Sequence, residues 1–439
     1  MIKLAERIVN VGMIGFGTVG GGTAKLLTDN AEIIRDRADT RIKIKRIYDK
    51  KESWAKERAV SMGLSPELFT DSVDNIIAAD DIDVVVEVIG GIEPAMTYIK
   101  TAIIHGKSVV TANKDLMASF GEELLAAAEA VGVDLFFEAS VAGGIPIIKA
   151  IKESLAANHF HKVMGIVNGT TNYILSEMAA SGADFDVCLA QAQALGYAEA
   201  NPTNDIDGLD AARKMAILAS LAFNSRITAD MVYVEGIKNI TKWDIAYANE
   251  LGYTIKLLGI AKDYEDSIEV RVHPVMISSS HPLATVNDAF NAVFVEADAL
   301  GKAMFLGRGA GEMPTASAIV GDIISAGKHI VHNLGGQTSC SYFKNKRIRD
   351  IKEVECKYYL RLMVADRTMV LAHIADAIGR RDVSLDTVIQ KRSVGDLAEL
   401  VLITHEVKED SMLQAIKDLN NLAVVDDVVS VIRVDDSDN

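Results

Sequence analysis

The chain has 439 residues, of which 49% are hydrophobic and 24% charged, with a formal net charge of -16. That length exceeds one ordinary hydrophobic core, so two or three domains of a folded soluble protein are expected. The acidic balance argues against nucleic acid as the main partner, because a phosphate backbone is normally met by a basic surface. The amino terminus, "MIKLAERIVNVGMIGFG", lacks the long apolar core and small-residue cleavage site of a secretory signal. No uncharged run reaches membrane-spanning length, since the most apolar strand, "VVVEVIGG", is interrupted by Glu87. A cytoplasmic protein with no membrane partner is therefore expected. Cys188, Cys340 and Cys356 are widely spaced and outside any CxxC pattern, which fits a reducing compartment without disulfides. His159 with His161 and His329 with His332 can each share one face of an element, but neither makes a transition-metal motif.

"RIVNVGMIGFGTVGGGTAKLL" predicts a strand, a glycine turn and a helix. Gly15, Gly17 and Gly20 form GxGxxG in the context that makes the pattern informative: a tight turn, a close approach for a pyrophosphate, and room for helix against strand. Gly15, Phe16, Gly17, Thr18, Val19 and Gly20 are thus the candidate cradle, with phosphates on free amides at the helix start. "RIKIKRIYD", "DIDVVVEVIG" and "KSVVTANK" read as strands alternating with helices at "WAKERAV" and "AMTYIKTAIIHG". This alternation predicts a doubly wound parallel sheet, whose ligands bind at the carboxyl ends of strands. Lys114 follows "VVTAN" at one such end. Asp49, after the second strand, suits the free ribose hydroxyls of NAD, whereas Lys50 and Lys51 suit the extra phosphate of NADP; both readings stay open.

Beyond "FFEASVAGGIPII" the rhythm changes to an α+β pattern. "HFHKVMGIVNGTTNYIL" predicts a strand, a turn and a helix start, and "LDAARKMAILASLAF" an amphipathic helix carrying Asp210 and Lys214 on one face. The preceding loop, "LGYAEANPTNDIDG", is rich in carboxylates and poor in apolar residues, as a loop facing an amino acid would be. A lysine held against an aspartate beside a nicotinamide can carry the hydroxyl proton when hydride leaves a hydroxyl-bearing carbon.

With "GFGTVGGG", "VVTANKDLMA", "EASVAGGIPII", "GIVNGTTNYIL", "LGYAEANPTNDIDGLDAARK", "HPLATVNDAFNAVFVEAD" and "GRGAGEMPTASAIVGDI" in order along the chain, residues 8 to 335 resemble the homoserine dehydrogenases. The resemblance implies reversible NAD(P)-dependent interconversion of L-homoserine and L-aspartate 4-semialdehyde, in the branch leading to threonine, methionine and isoleucine. It matches Lys114 and Lys214 to the active-site lysines and Glu199, Asp205 and Asp210 to the substrate carboxylates, with Glu199 on the ammonium and Asp210 orienting Lys214. It also matches Glu138, Val141, Gly143 and Ile145 to the oxygen ligands of a structural monovalent cation, Na+, and Gly309 and Glu312 to the segment returning near the nucleotide. The family's AExDPT is here "AEANPT": Asn201 either alters substrate affinity or caps a turn as aspartate would.

The carboxyl-terminal residues predict the order βαββαβ, the split βαβ arrangement with a four-stranded antiparallel sheet. This resembles an ACT domain, which implies regulation by an amino acid such as L-threonine and side-by-side pairing into a homodimer or homotetramer. The usual DxPGVLA turn is here "DRTMVLA", where Thr368 and Met369 replace Pro-Gly and Met369 is expected to crowd a ligand. The expected divisions are a Rossmann domain at 1–138 completed by about 305–335, a substrate and dimerisation domain at 139–304, a linker at 336–352 and a separable regulatory domain at 353–439. No kinase domain precedes residue 8, so a fusion with aspartokinase is not expected. Two other readings are a related oxidoreductase acting on another amino-acid alcohol and a catalytically silent sensor; the presence of both Lys114 and Lys214 favours the enzyme.

Overall fold

A computed structural model describes residues 7–336 and 344–436. Cys340 and residues 337–343 of the expected linker lie outside the described residues, as do the first six and last three positions. The strands used below are β1 (Ile8–Ile14), β2 (Arg41–Tyr48), β3 (Val84–Glu87), β4 (Ser108–Thr111), β5 (Leu135–Phe136), β6 (Phe160–Ile166), β7 (Tyr253–Asp263), β8 (Ser267–Ser278), β9 (Phe290–Ala297), β10 (Gly301–Arg308), β11 (Glu355–Ala365), β12 (Leu385–Val394), β13 (Leu397–Thr404) and β14 (Val425–Asp435). The helices are α1 (Thr18–Asp29), α2 (Lys114–Val131), α3 (Gly169–Ser181), α4 (Leu209–Phe223), α5 (Lys242–Glu250), α6 (Glu312–His332), α7 (Val370–Gly379) and α8 (Glu409–Asn420).

Two compact units account for the chain: Met1–Val163 with Arg213–Met231 and Asn291–Lys346, and Met164–Ala212 with Val232–Phe290 and Arg347–Asn439. In the first, β1 to β5 form the expected parallel sheet, in the order β2-β1-β3-β4-β5. β3 and β4 are buried along their whole length, as valine-rich strands covered on both faces must be. The strand order reverses between β1 and β3, the switch point at which such sheets bind ligands. Val9, Val11, Met13, Val84 and Val86 share one core with Ile319 and Ile323 of α6, so the returning helix completes this layer.

In the second unit β7 pairs antiparallel with β8, and β8 pairs in parallel with β14. From β14 the sheet continues through β11 and β13 to β12, all antiparallel, which is the predicted βαββαβ topology. Alternation along β11 explains its two faces. Cys356, Tyr358, Leu360, Leu362 and Val364 pack under α7 and α8 with Ile374, Met412 and Leu419. The opposite face carries Arg361, 3% exposed, whose guanidinium donates to Asp244 of α5 (2.8 Å), Glu399 (3.0 Å) and Thr241 (2.9 Å). Tyr247 of α5 donates to the same Glu399 (2.6 Å). Arg433, on β14, is clamped by Glu409 (2.6 Å) and Glu235 (2.9 Å).

Within the second unit the βαββαβ segment shares a sheet and two charge clusters with residues 232–290. Its removal would uncover the β8 edge and leave Asp244 and Glu235 without their guanidiniums. Met369 takes the backbone conformation of the glycine it replaces. It stands before α7 at φ 71°, the left-handed conformation that glycine normally supplies there, with its side chain 65% exposed.

Three outcomes follow for stability. Arg361→Met should cost about 3–5 kcal/mol in urea unfolding, because the buried Asp244 loses its guanidinium and the buried Glu399 one of its two, and truncation before Asp350 should yield protein without a cooperative thermal transition. Met369→Gly should raise the melting temperature, since a left-handed non-glycine residue costs about 1 kcal/mol and the side chain lost is mostly in solvent.

Candidate functional site

The glycine turn is held from below by β2. Gly15, at φ 104°, donates its amide to the Tyr48 carbonyl (2.8 Å), and the Phe16 amide donates to Asp49 Oδ2 (2.7 Å). Asp49 Oδ1 accepts from the Lys51 amide (2.8 Å), so each oxygen of this carboxylate already takes one backbone donor. Thr18 and Val19 open α1, which has no side-chain cap and no acidic residue in its first turn, leaving amides for an anion. A β-carbon on Gly17 would meet nothing within 4 Å, whereas one on Gly20 would lie 2.2 Å from the Gly15 carbonyl oxygen. The second glycine borders open space and the third is a packing contact. A cleft of about 470 Å³ opens here, lined by Gly15, Gly17, Asp49, Lys50, Val88 and Gly90.

The ends of β3 and β4 are tied by Glu87, a buried carboxylate that accepts from the Ile89 amide (2.8 Å), the Gly90 amide (3.2 Å) and the Thr111 hydroxyl (2.6 Å). Thr111 in turn accepts the Asn113 amide (3.0 Å), and Asn113 caps α2 by accepting from Leu116 (3.1 Å). Lys114 is the first residue of that helix, half-buried. Asp115, beside it, pairs with Arg213 of α4 at 2.8 Å, and Lys214 follows Arg213. A second pair, Glu122 with Arg226 (2.9 Å), links α2 to the residues beyond α4. The two lysine-bearing helices are thus joined by the neighbours of Lys114 and Lys214.

The carboxylates Glu199, Asp205 and Asp210 belong to the second unit. Glu199 is exposed, with its carbonyl accepting from Gln193 (3.0 Å). Asp205 and the buried Asp210 both accept from the side-chain nitrogen of Asn168, at 2.7 and 2.9 Å. Asp210 precedes Lys214 by one turn of α4. Asn201 accepts from the amide and hydroxyl of Thr203 (3.3 and 2.7 Å), which is the turn-capping alternative for this replacement.

Glu138 is 3% exposed, and its two carboxylate oxygens accept from the Ile148 and Lys149 amides, both at 2.8 Å. Burial, and then the nearby Asp322, push its carboxyl up to about 7. A carboxylate offers about four acceptor sites, so Glu138 retains capacity for a hard cation, and positive charge is what this buried pair of acids lacks beyond Lys149, 2.9 Å from Asp322. The adjoining loop turns through Ala142 and Gly143, both at φ 54°. A β-carbon on Gly143 would lie 2.5 Å from the Gly309 carbonyl, and the Gly144 amide donates to the Arg308 carbonyl (3.1 Å). The expected cation loop and the returning segment are therefore in contact. Glu312 begins α6 and meets Arg58 at 3.2 Å. Among the described residues no group of three or more His, Cys, Asp or Glu side chains forms a metal site, so any cation here would rest on carbonyl oxygens as well.

Sequence reasoning missed four of these groups. Glu87 appeared only as an interruption of an apolar run, and Arg213 and Asp115 received no reading of their own. Asn168 carried a signal, an asparagine between a strand and a helix, that went unused.

The glycines give a clean test. Gly17→Ala should leave the unfolding free energy within about 0.5 kcal/mol of wild type while weakening nucleotide binding at least tenfold in fluorescence titration. Gly20→Ala should instead lower the melting temperature, since its methyl meets backbone.

Comparison with known proteins agrees with this arrangement. The homoserine dehydrogenase NAD-binding domain matches residues 15–138, and the homoserine dehydrogenase domain matches residues 146–324. The homoserine dehydrogenase of Corynebacterium glutamicum is 45% identical, covering 97% of this chain and 96% of its own, and that of Bacillus subtilis is 41% identical over 98% and 99%. The crystal structure of a homoserine dehydrogenase from Thiobacillus denitrificans superposes with a TM-score of 0.92 at 42% identity, covering 98% of this chain and 99% of that one. A hyperthermophilic archaeal homoserine dehydrogenase in complex with NADPH gives 0.63 at 27% identity, covering 73% of this chain and 98% of its own. With the nucleotide cradle and the paired lysine helices in place, these matches over nearly the whole length show that the chain belongs to the homoserine dehydrogenase family, NAD(P)-dependent oxidoreductases acting on a CH-OH group.

Proposed function

We propose that the chain interconverts L-homoserine and L-aspartate 4-semialdehyde, with NADP preferred over NAD. The observation that carries the reaction is the Asp115–Arg213 ion pair, which fixes the helices bearing Lys114 and Lys214. The nicotinamide, when bound, takes the hydride from the hydroxyl-bearing carbon or returns it. Glu199 holds the substrate ammonium, Asp205 and Asp210 complete the polar grip, and Asp210 orients Lys214. A lysine, Lys214 or Lys114, takes the hydroxyl proton as a neutral amine or, as an ammonium, stabilises oxygen charge as it develops.

Cofactor preference rests on Asp49, whose oxygens accept from Phe16 and Lys51, while Lys50 and Lys51 are exposed immediately beyond. Cations there match a ribose phosphate better than a carboxylate committed to the turn does. Glu138, Val141, Gly143 and Ile145 are proposed to hold Na+, which would offset the buried charge of Glu138. L-Threonine is the proposed effector of the βαββαβ segment, and the outer strand β12, at the end of its sheet, suits pairing of two copies into a homodimer or homotetramer. No helix among the described residues is long and apolar enough to cross a membrane; a cytoplasmic location is part of the proposal.

The deciding measurement is the initial rate of reduced-nicotinamide formation from L-homoserine with NADP and with NAD, each with and without L-threonine. Lys214→Ala should lower kcat by about two to four orders of magnitude with nucleotide affinity retained. Lys50→Ala combined with Lys51→Ala should cut kcat/KM for NADP about tenfold or more and leave NAD nearly unaffected. Folded, nucleotide-binding protein with no rate on either cofactor would move the reading to another substrate or to a sensor.

A further inference from the structure

We infer that Asn168 is a positioning residue for the substrate carboxylates: its side-chain amide ties Asp205 and Asp210 to the start of α3 and sets them a fixed distance apart. This rests on the proposed roles of Asp205 and Asp210. The amide is fully used. Its Oδ1 accepts from the Thr171 amide (2.9 Å) and hydroxyl (3.0 Å), and its Nδ2 donates to Asp205 Oδ1 (2.7 Å) and Asp210 Oδ2 (2.9 Å). A backbone N–H can only donate, so the oxygen must lie on the Thr171 side and both N–H bonds must point to the carboxylates.

Chemistry leaves little choice of residue here. Asp205 and Asp210 come from different helices, and two carboxylates within hydrogen-bond reach of one nitrogen repel each other. A neutral group with two diverging N–H bonds holds both without neutralising either. A lysine in that place would compete for the charge that the substrate ammonium needs. Serine, threonine and aspartate cap a helix as asparagine does, but none offers two N–H donors at its other end. Asn168 is only 4% exposed, so no water can easily replace those donors.

The distinction between a cap and a positioning group is measurable. Asn168→Ser and Asn168→Asp both keep an acceptor for Thr171, so both should retain the thermal transition and the affinity for NADPH. Asn168→Ser should raise the KM for L-homoserine and lower kcat, reducing kcat/KM about 10–100-fold, the scale expected when reacting groups shift by an ångström. Asn168→Asp should be worse than Asn168→Ser, because it brings a third carboxylate against the other two. A mere cap predicts no such order. The inference is overturned if both variants keep kcat/KM within about twofold of wild type, if Asn168→Asp is the more active, or if activity falls only in step with an equal loss of thermal stability. Asp210→Asn separates this failure from that of the underlying reading: unchanged turnover there removes the carboxylate assignment, whereas lost turnover there with unaffected Asn168 variants removes only the role of Asn168.

Discussion

The ion pair between Asp115 and Arg213 is the contact on which the proposed reaction geometry depends. At about one third exposure on each side it contributes little to stability, because surface pairs of this kind yield roughly 0–1 kcal/mol. Its value is registration. It joins the residue after Lys114 to the residue before Lys214, so a shift of either helix along its axis would move both lysines relative to each other. Lys114 also occupies the first position of α2, where the positive end of the helix dipole opposes a cation.

The carboxyl-terminal segment shows how buried charge ties chain segments together. Arg361 and Arg433 are 3% and 6% exposed, and each is satisfied by carboxylates from both the βαββαβ segment and residues 232–290. A guanidinium cannot shed its proton to escape such burial. The segment must therefore keep these partners or lose the contacts that satisfy its guanidiniums. The L-threonine proposed above, bound at α7, would act on a sheet continuous with β8.

Local signals made most of the fold legible. The valine-rich strands, the glycine turn before α1, and the amphipathic pattern of "LDAARKMAILASLAF" are statements about neighbours in sequence, and each element stands where they put it. The stretch "KYYLRLMVAD", first strand of the predicted βαββαβ order, stands as β11. What it could not give was the partner of the face carrying Arg361, because Arg361 in a half-apolar strand reads as solvated until Asp244, more than a hundred residues earlier, is brought against it. The same limit hid the joining of the βαββαβ segment to β8. Long-range pairing between strands of different segments has no signature in either strand alone. At the candidate site, Lys114, Lys214, Asp205 and Asp210 were legible as residue types in motifs; Glu87 and Asn168 were not, since their work is to connect distant positions.

Those connectors share one device. Asn113 caps α2 through its oxygen and donates from its nitrogen to the Gly91 carbonyl at 2.7 Å, 22 residues away. Asn168 caps α3 through its oxygen and donates to Asp205 and Asp210, 37 and 42 residues away. At both helix starts the cap could chemically be serine, threonine or aspartate. Asparagine alone among the usual caps has a second end that donates, so it can join a local helix start to a remote segment. The first tie fixes the loop beside Lys114 and the second ties Asp205 and Asp210, and in each case the helix that needs a cap is also the rigid element against which a group proposed to react or bind is held. The cap explains why an oxygen is there; only the tie explains why it belongs to an amide.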